Sequence, residues 1–450
     1  MEIEKIEQKY CSQGDTSARH NPKKYFTEGR GSFLYDAEKT NFLDMQMCNS
    51  SANFGYQHPA FEAALLRQLK EMPSLSGEFM CDAQVLLAEK ICTYMETHHG
   101  VKGRVHFSVG GAQAVDDALK MIAAYTGTRN VFTFEGSYHG RTMATSSISS
   151  SHRYHRQFGN VVSTHRIPFP CCERCPYEKN QEDCNLFCAR QFERLFESEY
   201  YGVYQPQQNE SMYRAFVAEP LLGRCGYVVP PEGYFKRIGA FLHEHHIVLM
   251  FDEIQMGFYR TGKMWAFENF DVVPDMFTFG KAISNGLWPL SGVWAREDIL
   301  SPEQWPTGSS HATFSGNPIA MSLGLTAMTI TSQPTFKEQV EKNERQLKKI
   351  IATLKADYPI IGRADCCGMA AGVEIVDKTT GRPDPVLAHK IADAALQKPV
   401  AIKGINYGLI LSVGGLFENA FLLSPNLNIK EDELLLFNVL FRHYLDSVEG

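Results

Sequence analysis

The hydrophobic and polar positions of this chain alternate between two periods. Short, nearly unbroken apolar runs that end in Gly, Asp or Glu are followed by longer stretches whose apolar residues recur every three or four positions. That is the pattern of strands buried on both faces and joined by helices. From Arg104 (Arg-Val-His-Phe-Ser-Val) onward it predicts a mostly parallel sheet, with further strands at 131–134, 214–218, 246–251, 275–279 and 291–294 and helices at 112–126 and 233–245. Ahead of this, residues 25–60 mix short apolar runs with turn residues (Gly29, Gly31, Asp36, Asp44, Gly55, His58-Pro59), and a helix follows from Ala60 to Met72. Behind it come a helix-rich stretch from Gly316 to Asp357, strands at 369–376, 408–413 and 420–423, and helices near 386–396 and 430–447. No internal repeat or low-complexity segment interrupts the series.

Composition adds bounds. At 450 residues the chain can bury a substantial core, and two or three domains are expected. Its 44% hydrophobic and 21% charged residues are those of an ordinary globule. A net charge of −7 supplies no basic footprint for nucleic acid or an anionic membrane. No window reaches the roughly 18 apolar residues of a membrane span. The polar, mixed-charge start (Met-Glu-Ile-Glu-Lys-Ile-Glu-Gln-Lys-Tyr) is unlike a signal peptide. A cytoplasmic location, with the twelve cysteines mostly reduced, is the expectation.

The candidate chemistry lies at the ends of the apolar runs. Met276–Phe279 reads as a buried strand, Gly280 turns the backbone, and Lys281 is delivered beside small residues (Ala282, Ser284, Gly286) that leave room for a flat ligand. Desolvation disfavours an ammonium, so such a lysine can act as a nucleophilic amine and form a Schiff base. A lone lysine is ordinarily solvated; the segment Phe251-Asp252-Glu253-Ile254-Gln255 changes that reading. Asp252 ends a continuously apolar strand, where open α/β sheets bind ligands, and a carboxylate there can keep a pyridine nitrogen protonated as an electron sink. Gly110-Gly111 lies between a strand and a helix, so backbone N–H groups and the helix N-terminus can face a phosphate.

Together with the Arg260-Thr261-Gly262 turn, the long block from Asp252-Glu253-Ile254-Gln255 to Gly280-Lys281 resembles class III pyridoxal-phosphate aminotransferases of fold type I, and the likeness covers nearly the whole chain. The resemblance implies an α/β fold in which a large domain (61–325) carries a mostly parallel central sheet flanked by helices. A smaller α+β domain is built from both termini (1–60 and 326–450). It implies pyridoxal 5'-phosphate as cofactor and Lys281 as its attachment point. Gly111, Ala112 and Gln113 match the phosphate loop, although Gly110 and Gln113 replace the usual Ser and Glu; Gln can donate where Glu cannot. Tyr138, followed by His139, matches the ring-stacking residue, Glu219 a glutamate near the ring, and Gln255 the contact to the phenolic oxygen. Thr313 matches a threonine that reaches the phosphate in the neighbouring subunit, which implies a homodimer with a shared site.

Two departures bear on substrate. Leu422 stands where enzymes of this class acting on α-amino acids usually carry a carboxylate-binding arginine. Arg224 stands where the ornithine branch has glutamate; it can anchor a substrate carboxylate or be a Glu-paired loop arginine. The expected reaction moves an amino group from an amine or amino acid to a 2-oxo acid. Racemisation or epimerisation is the alternative, since Tyr125–Arg129 and Gly368–Val376 resemble that neighbouring branch, and phospho-lyase chemistry is a third outcome on the scaffold. The spacing Cys172-x2-Cys175-x8-Cys184-x3-Cys188 is open to reduced thiols, a redox-sensitive disulfide or zinc, and the family chemistry requires no metal. Cys366 and Cys367 read as core or turn residues before the strand at 369–376.

Overall fold

The computed structural model describes residues 2–12, 14, 23–155 and 159–449. Its centre is a seven-stranded sheet: β1 (Gly103–Ser108), β2 (Val131–Phe134), β3 (Thr164–Ile167), β4 (Ala215–Ala218), β5 (Val248–Asp252), β6 (Met276–Phe279) and β7 (Ser291–Arg296). The spatial order is β1-β7-β6-β5-β4-β2-β3. β6, β5, β4, β2 and β3 run parallel, and β7 is antiparallel to both β6 and β1. β2, β4, β5 and β6 are buried along their whole length, as strands covered on both faces must be. Their apolar side chains split between two cores: Phe132, Phe134, Phe216, Phe251 and Phe277 on one face, Val131, Val217, Met250 and Met276 on the other. Helix α1 (Gly111–Thr126) covers the second face with Ala114, Val115, Ala118, Met121 and Ile122, and Gly127 ends it in the left-handed conformation.

Two further sheets flank this core. One pairs Asn41–Asp44 with Ile405–Ile410 in parallel, so N- and C-terminal segments share a sheet. The other contains Ile361–Cys367, Ala370–Ile375, Ala420–Leu423 and Ser412–Gly414. The expected strand 408–413 is two strands in different sheets, divided at Leu411: Ile405–Ile410 pairs with the N-terminal segment, Ser412–Gly414 with Ala420–Leu423. Cys366 and Cys367, expected ahead of a strand, end Ile361–Cys367 and pair with Ala371 and Ala370. β5 starts two residues later than expected because His246 adopts φ 54° in a turn.

The helical stretch after Gly316 is two helices, Pro318–Thr331 and Pro334–Asp357. Pro334 forces the break, since it lacks an N–H and suits a helix start. Helix Asp82–His99 and the edge strand β3 were not anticipated. The helix buries only the narrow stripe Leu87, Ile91 and Met95, and three of the four residues of β3 (Thr-His-Arg-Ile) are polar. No helix among the described residues is long and apolar enough to cross a membrane.

Candidate active site

Asp252, Glu219, Lys281 and the loop before α1 all lie at or just beyond the carboxyl ends of β5, β4, β6 and β1, so one edge of the sheet collects them. Asp252 is 6% exposed. Its Oδ2 pairs with His139 Nδ1 at 2.8 Å, and its Oδ1 accepts from the Thr278 hydroxyl and the Ile254 N–H, both at 3.1 Å. His139 is buried, and its Nε2 has no partner among the described residues. The pair fixes the carboxylate's orientation on three sides.

Lys281 follows β6 and Gly280 with φ 46°, the left-handed region that costs an L-residue about 1 kcal/mol or more. Its amine makes no hydrogen bond or ion pair among the described residues. Burial pulls its pKa below the usual lysine range, against the opposing attraction of Asp252 and then Glu219. Glu219 is 5% exposed; burial pushes its carboxyl up to about 7, opposed by His139 and reinforced by Asp252. It ties two loops together, Oε1 accepting from Tyr138 N and Oε2 from Gly223 N, each at 2.9 Å. A Cβ at Gly223 would meet the Gln255 and Glu219 side-chain ends, so a larger residue there would displace them. Gln255 Nε2 donates to Tyr227 OH at 3.2 Å.

The loop Tyr138-His139-Gly140 packs onto the start of α1. Gly140 has φ 123°, and a Cβ there would lie 2.7 Å from Ala112 Cβ. No side chain caps α1, so the N–H groups of its first turn face outward unpaired by the helix itself. Gln113 Oε1 accepts from Val109 N at 3.1 Å, which closes the loop and leaves the amide NH2 as the donor. Ile254 sits between this loop and Gly280, within about 3.1 Å and 3.4 Å of where Cβ atoms on Gly111 and Gly280 would stand. Tyr138 is half-buried, edge-on to Tyr154 at 5.3 Å, with its pKa raised by burial.

Three predicted residues stand apart. Thr313 is exposed, beside Phe314 at 66% exposure. Arg224 is paired with Glu418 (3.5 Å) and donates to the Val413 carbonyl (2.5 Å), the Glu-paired alternative. Leu422 is buried with Leu221, Tyr227 and Met256, so that wall is apolar. Cys172, Cys175, Cys184 and Cys188 line one small cavity of about 20 Å³, and the twelve cysteines carry no disulfide. Among the described residues no group of three His, Cys, Asp or Glu is placed to hold a metal. Burial, with Cys188 and Cys184 nearby, pushes the Cys172 thiol up to about 11.

Sequence reasoning missed the cover of the site. Met47, Cys48, Asn49 and Ser50 form a left-handed turn with φ 45–65°. Asp44 Oδ1 holds it by accepting from Gln46 N (2.7 Å) and Met47 N (2.9 Å), and Tyr56 OH donates to Asp44 Oδ2 at 2.7 Å. Cys48 is close enough to Lys281 to act on its charge. An aspartate three residues before the turn was the available signal. Arg260, seen only as part of a turn, is fully buried and donates to the Met369 and Pro425 carbonyls (2.9 and 2.7 Å) and to Asn53.

These groups fit pyridoxal phosphate by their chemistry. An uncapped helix start suits a phosphate, a buried oriented carboxylate suits a ring nitrogen, a half-buried tyrosine suits a ring face, and an unpartnered desolvated amine suits a carbonyl carbon. The family model for class-III aminotransferases matches residues 16–436. A leucine/methionine racemase of Thermococcus litoralis is 30% identical over 89% of this chain and 86% of its own. A probable 4-aminobutyrate aminotransferase of Bacillus subtilis is 31% identical over 90% and 91%. The solved, PLP-bound amine transaminase of an uncultivated Pseudomonas species superposes with a TM-score of 0.84 at 25% identity, covering 98% of both chains. The chain therefore belongs to the class-III aminotransferase family and is a pyridoxal-phosphate-dependent enzyme of the aminotransferase type.

Proposed function

We propose that the enzyme moves an amino group from a primary amine or amino acid to a 2-oxo acid, with Lys281 as the base that takes and returns the proton at the reacting carbon. The observation that carries this reading is the unpartnered, desolvated Lys281 amine near the buried Asp252–His139 pair. When bound, pyridoxal phosphate supplies an electrophilic carbonyl and an electron-withdrawing ring. Gly111, Ala112 and Gln113 would hold its phosphate, Tyr138 its ring face, Asp252 its ring nitrogen and Gln255 its ring oxygen.

Each residue then has a definable task. With its pKa lowered, Lys281 is neutral in a larger fraction of molecules, so it can attack a carbonyl and later accept a carbon-bound proton. The Asp252 carboxylate would stabilise positive charge on a ring nitrogen held there, and His139 fixes its rotamer. Glu219 holds the Tyr138 and Gly223 loops together. Thr313, exposed on its own chain, would serve a second copy's phosphate, which makes the working unit a homodimer with shared sites. Residues 61–325 form the cofactor domain in this reading, with 1–60 and 326–450 as the smaller one, and the enzyme works in the cytoplasm on small-molecule substrates.

The test is stoichiometric. Single amines and amino acids are added to the loaded enzyme without an acceptor, in deuterated water. Transamination yields one equivalent of oxo product and converts the cofactor's absorbance to that of its amine form. Inversion of the amino acid, with deuterium entering the carbon and no oxo product, would make the enzyme a racemase like its Thermococcus relative.

A further inference from the structure

Tyr227 stands where two constrained segments meet. It is 2% exposed and packs with Leu221, Met256, Ala266, Ala370 and Leu422, surroundings that a phenylalanine would fill equally well. Its hydroxyl nevertheless has a polar group on each side. It accepts from Gln255 Nε2 at 3.2 Å and lies 3.5 Å from Ser50 Oγ. Because the amide takes a lone pair of the phenolic oxygen, the phenolic proton is left for the Ser50 oxygen. A chain of polar groups thus runs from Gln255 through Tyr227 to the left-handed turn that covers the site.

Both ends of that chain are held in costly backbone. Tyr227 adopts φ 51° and Ser50 φ 65°, a region that residues with side chains rarely enter. The Tyr227 loop is closed by Leu222 and Val228, which exchange N–H to carbonyl bonds of 3.1 and 3.2 Å, and by Tyr227 N donating to Gly223 O at 3.3 Å. Arg363 Nη2 donates to the Gly226 carbonyl, and Glu219 accepts from Gly223 N at 2.9 Å. Asp44 fixes the turn on the other side. The phenol therefore has a defined position, yet neither the packing nor these loop-closing bonds use its hydroxyl.

We propose that Tyr227 is the positioning residue of Gln255: it takes one amide proton so that the other is held toward the cofactor's ring oxygen, and Ser50 orients the phenol for this task. The assignment rests on the reading of Gln255 as the contact to that oxygen. Without the phenol the amide can turn over and present its own carbonyl oxygen, which repels an oxygen anion. An N–H aimed at the ring oxygen stabilises its deprotonated form, so the relay lowers the pH at which a proton is gained there. Placement of the N-terminal turn is thereby coupled to acidity at the ring.

The test is a pH titration of the loaded enzyme's visible absorbance, which follows protonation beside the ring oxygen. Gln255→Leu should raise the midpoint by about one pH unit and Tyr227→Phe by roughly half a unit, the effect of weakening one hydrogen bond to a charged oxygen. Ser50→Ala should move it the same way by less. In the double variant Gln255→Leu/Tyr227→Phe the second change should add nothing, because the phenol acts only through the amide. Fluorescence of released cofactor should also give a dissociation constant raised about threefold to tenfold in Tyr227→Phe. Equal midpoints in wild type and Tyr227→Phe, or full addition in the double variant, as a merely structural tyrosine would give, would overturn the proposal. An unshifted Ser50→Ala would overturn the relay to the turn. Should Tyr227→Phe fail to fold, Ser50→Ala leaves the packed ring in place and carries the same comparison against Gln255→Leu. An unshifted Gln255→Leu would instead sink the reading of Gln255 and this proposal with it, so the two failures are told apart.

Discussion

The floor and the rim of this site are built on opposite plans. On the floor, Asp252, Glu219 and Lys281 sit at the ends of strands buried on both faces, and Asp252 and Glu219 have their polar atoms taken up by neighbours at 2.8–3.1 Å. At the rim, Arg224 and Glu418 stand on loops and Arg153 in the short helix His152–His155, with side chains 27–44% exposed. The floor restricts chemistry by rigidity and desolvation; the rim leaves its charges hydrated and free to exchange partners. Surface ion pairs are worth little, so one carboxylate can replace another there at small cost, whereas a buried carboxylate cannot be disturbed without leaving unsatisfied groups.

The contrast can be broken most severely at Lys281. Lys281→Ala should lower turnover about 10⁴-fold. Borohydride reduction and peptide mass analysis should find cofactor on Lys281 in the wild type and on no lysine in the variant. A variant that still turns over with cofactor fixed on another lysine would remove Lys281 from its role. Next is Arg260, fully buried, which ties its own turn to Asn53, Met369 and Pro425. Burial holds its pKa down to about 10, so its charge is already costly. Arg260→Ala strands two carbonyls and an amide oxygen and should cost about 3 kcal/mol in denaturant unfolding of the cofactor-free protein.

The smallest effect concerns pH. Glu219 has a folded pKa near 7 against an ordinary value of 4.5, so the folded protein binds more protons between those limits. Stability therefore falls as pH rises from about 4.5 through 7, the sign expected for a carboxyl whose pKa is raised. Relative to Glu219→Gln, the wild type should lose on the order of 2 kcal/mol between pH 5 and 8. Parallel unfolding curves for the two proteins across that range would show that Glu219 does not carry the effect. The rim ion pairs, being exposed, should leave no such slope.

Legibility followed locality. β2 and Ala420–Leu423 lie where their apolar runs predict, and Lys281, Asp252 and Glu219 lie where strand ends predict, because a doubly buried strand leaves an unbroken run and a polar residue must mark its exit. The division of 408–413 between two sheets was not readable, since both halves are apolar and only their partners, Asn41–Asp44 and Ala420–Leu423, tell them apart. Arg224 was readable as an unusual residue but its partner was not, because Glu418 is 194 positions away and has no local signature. The left-handed turn at Met47–Ser50 was hidden for a related reason: four successive L-residues rarely adopt φ above +40°, and bonds that include those of Asp44 and Tyr56 hold them there.

What the sequence by itself determined is the chemistry: a lysine after a buried strand, a carboxylate at the end of another, and a Gly-Gly turn opening a helix, each set by contacts within a few residues. What only the tertiary structure decided is the surroundings of that chemistry. The pairing of His139 with Asp252, the apolar wall at Leu422 and the pairing of Arg224 with Glu418 depend on segments about 100 to 200 residues apart. Burial and charge act through space, and the chain's order carries no measure of either until the sheets bring those segments together.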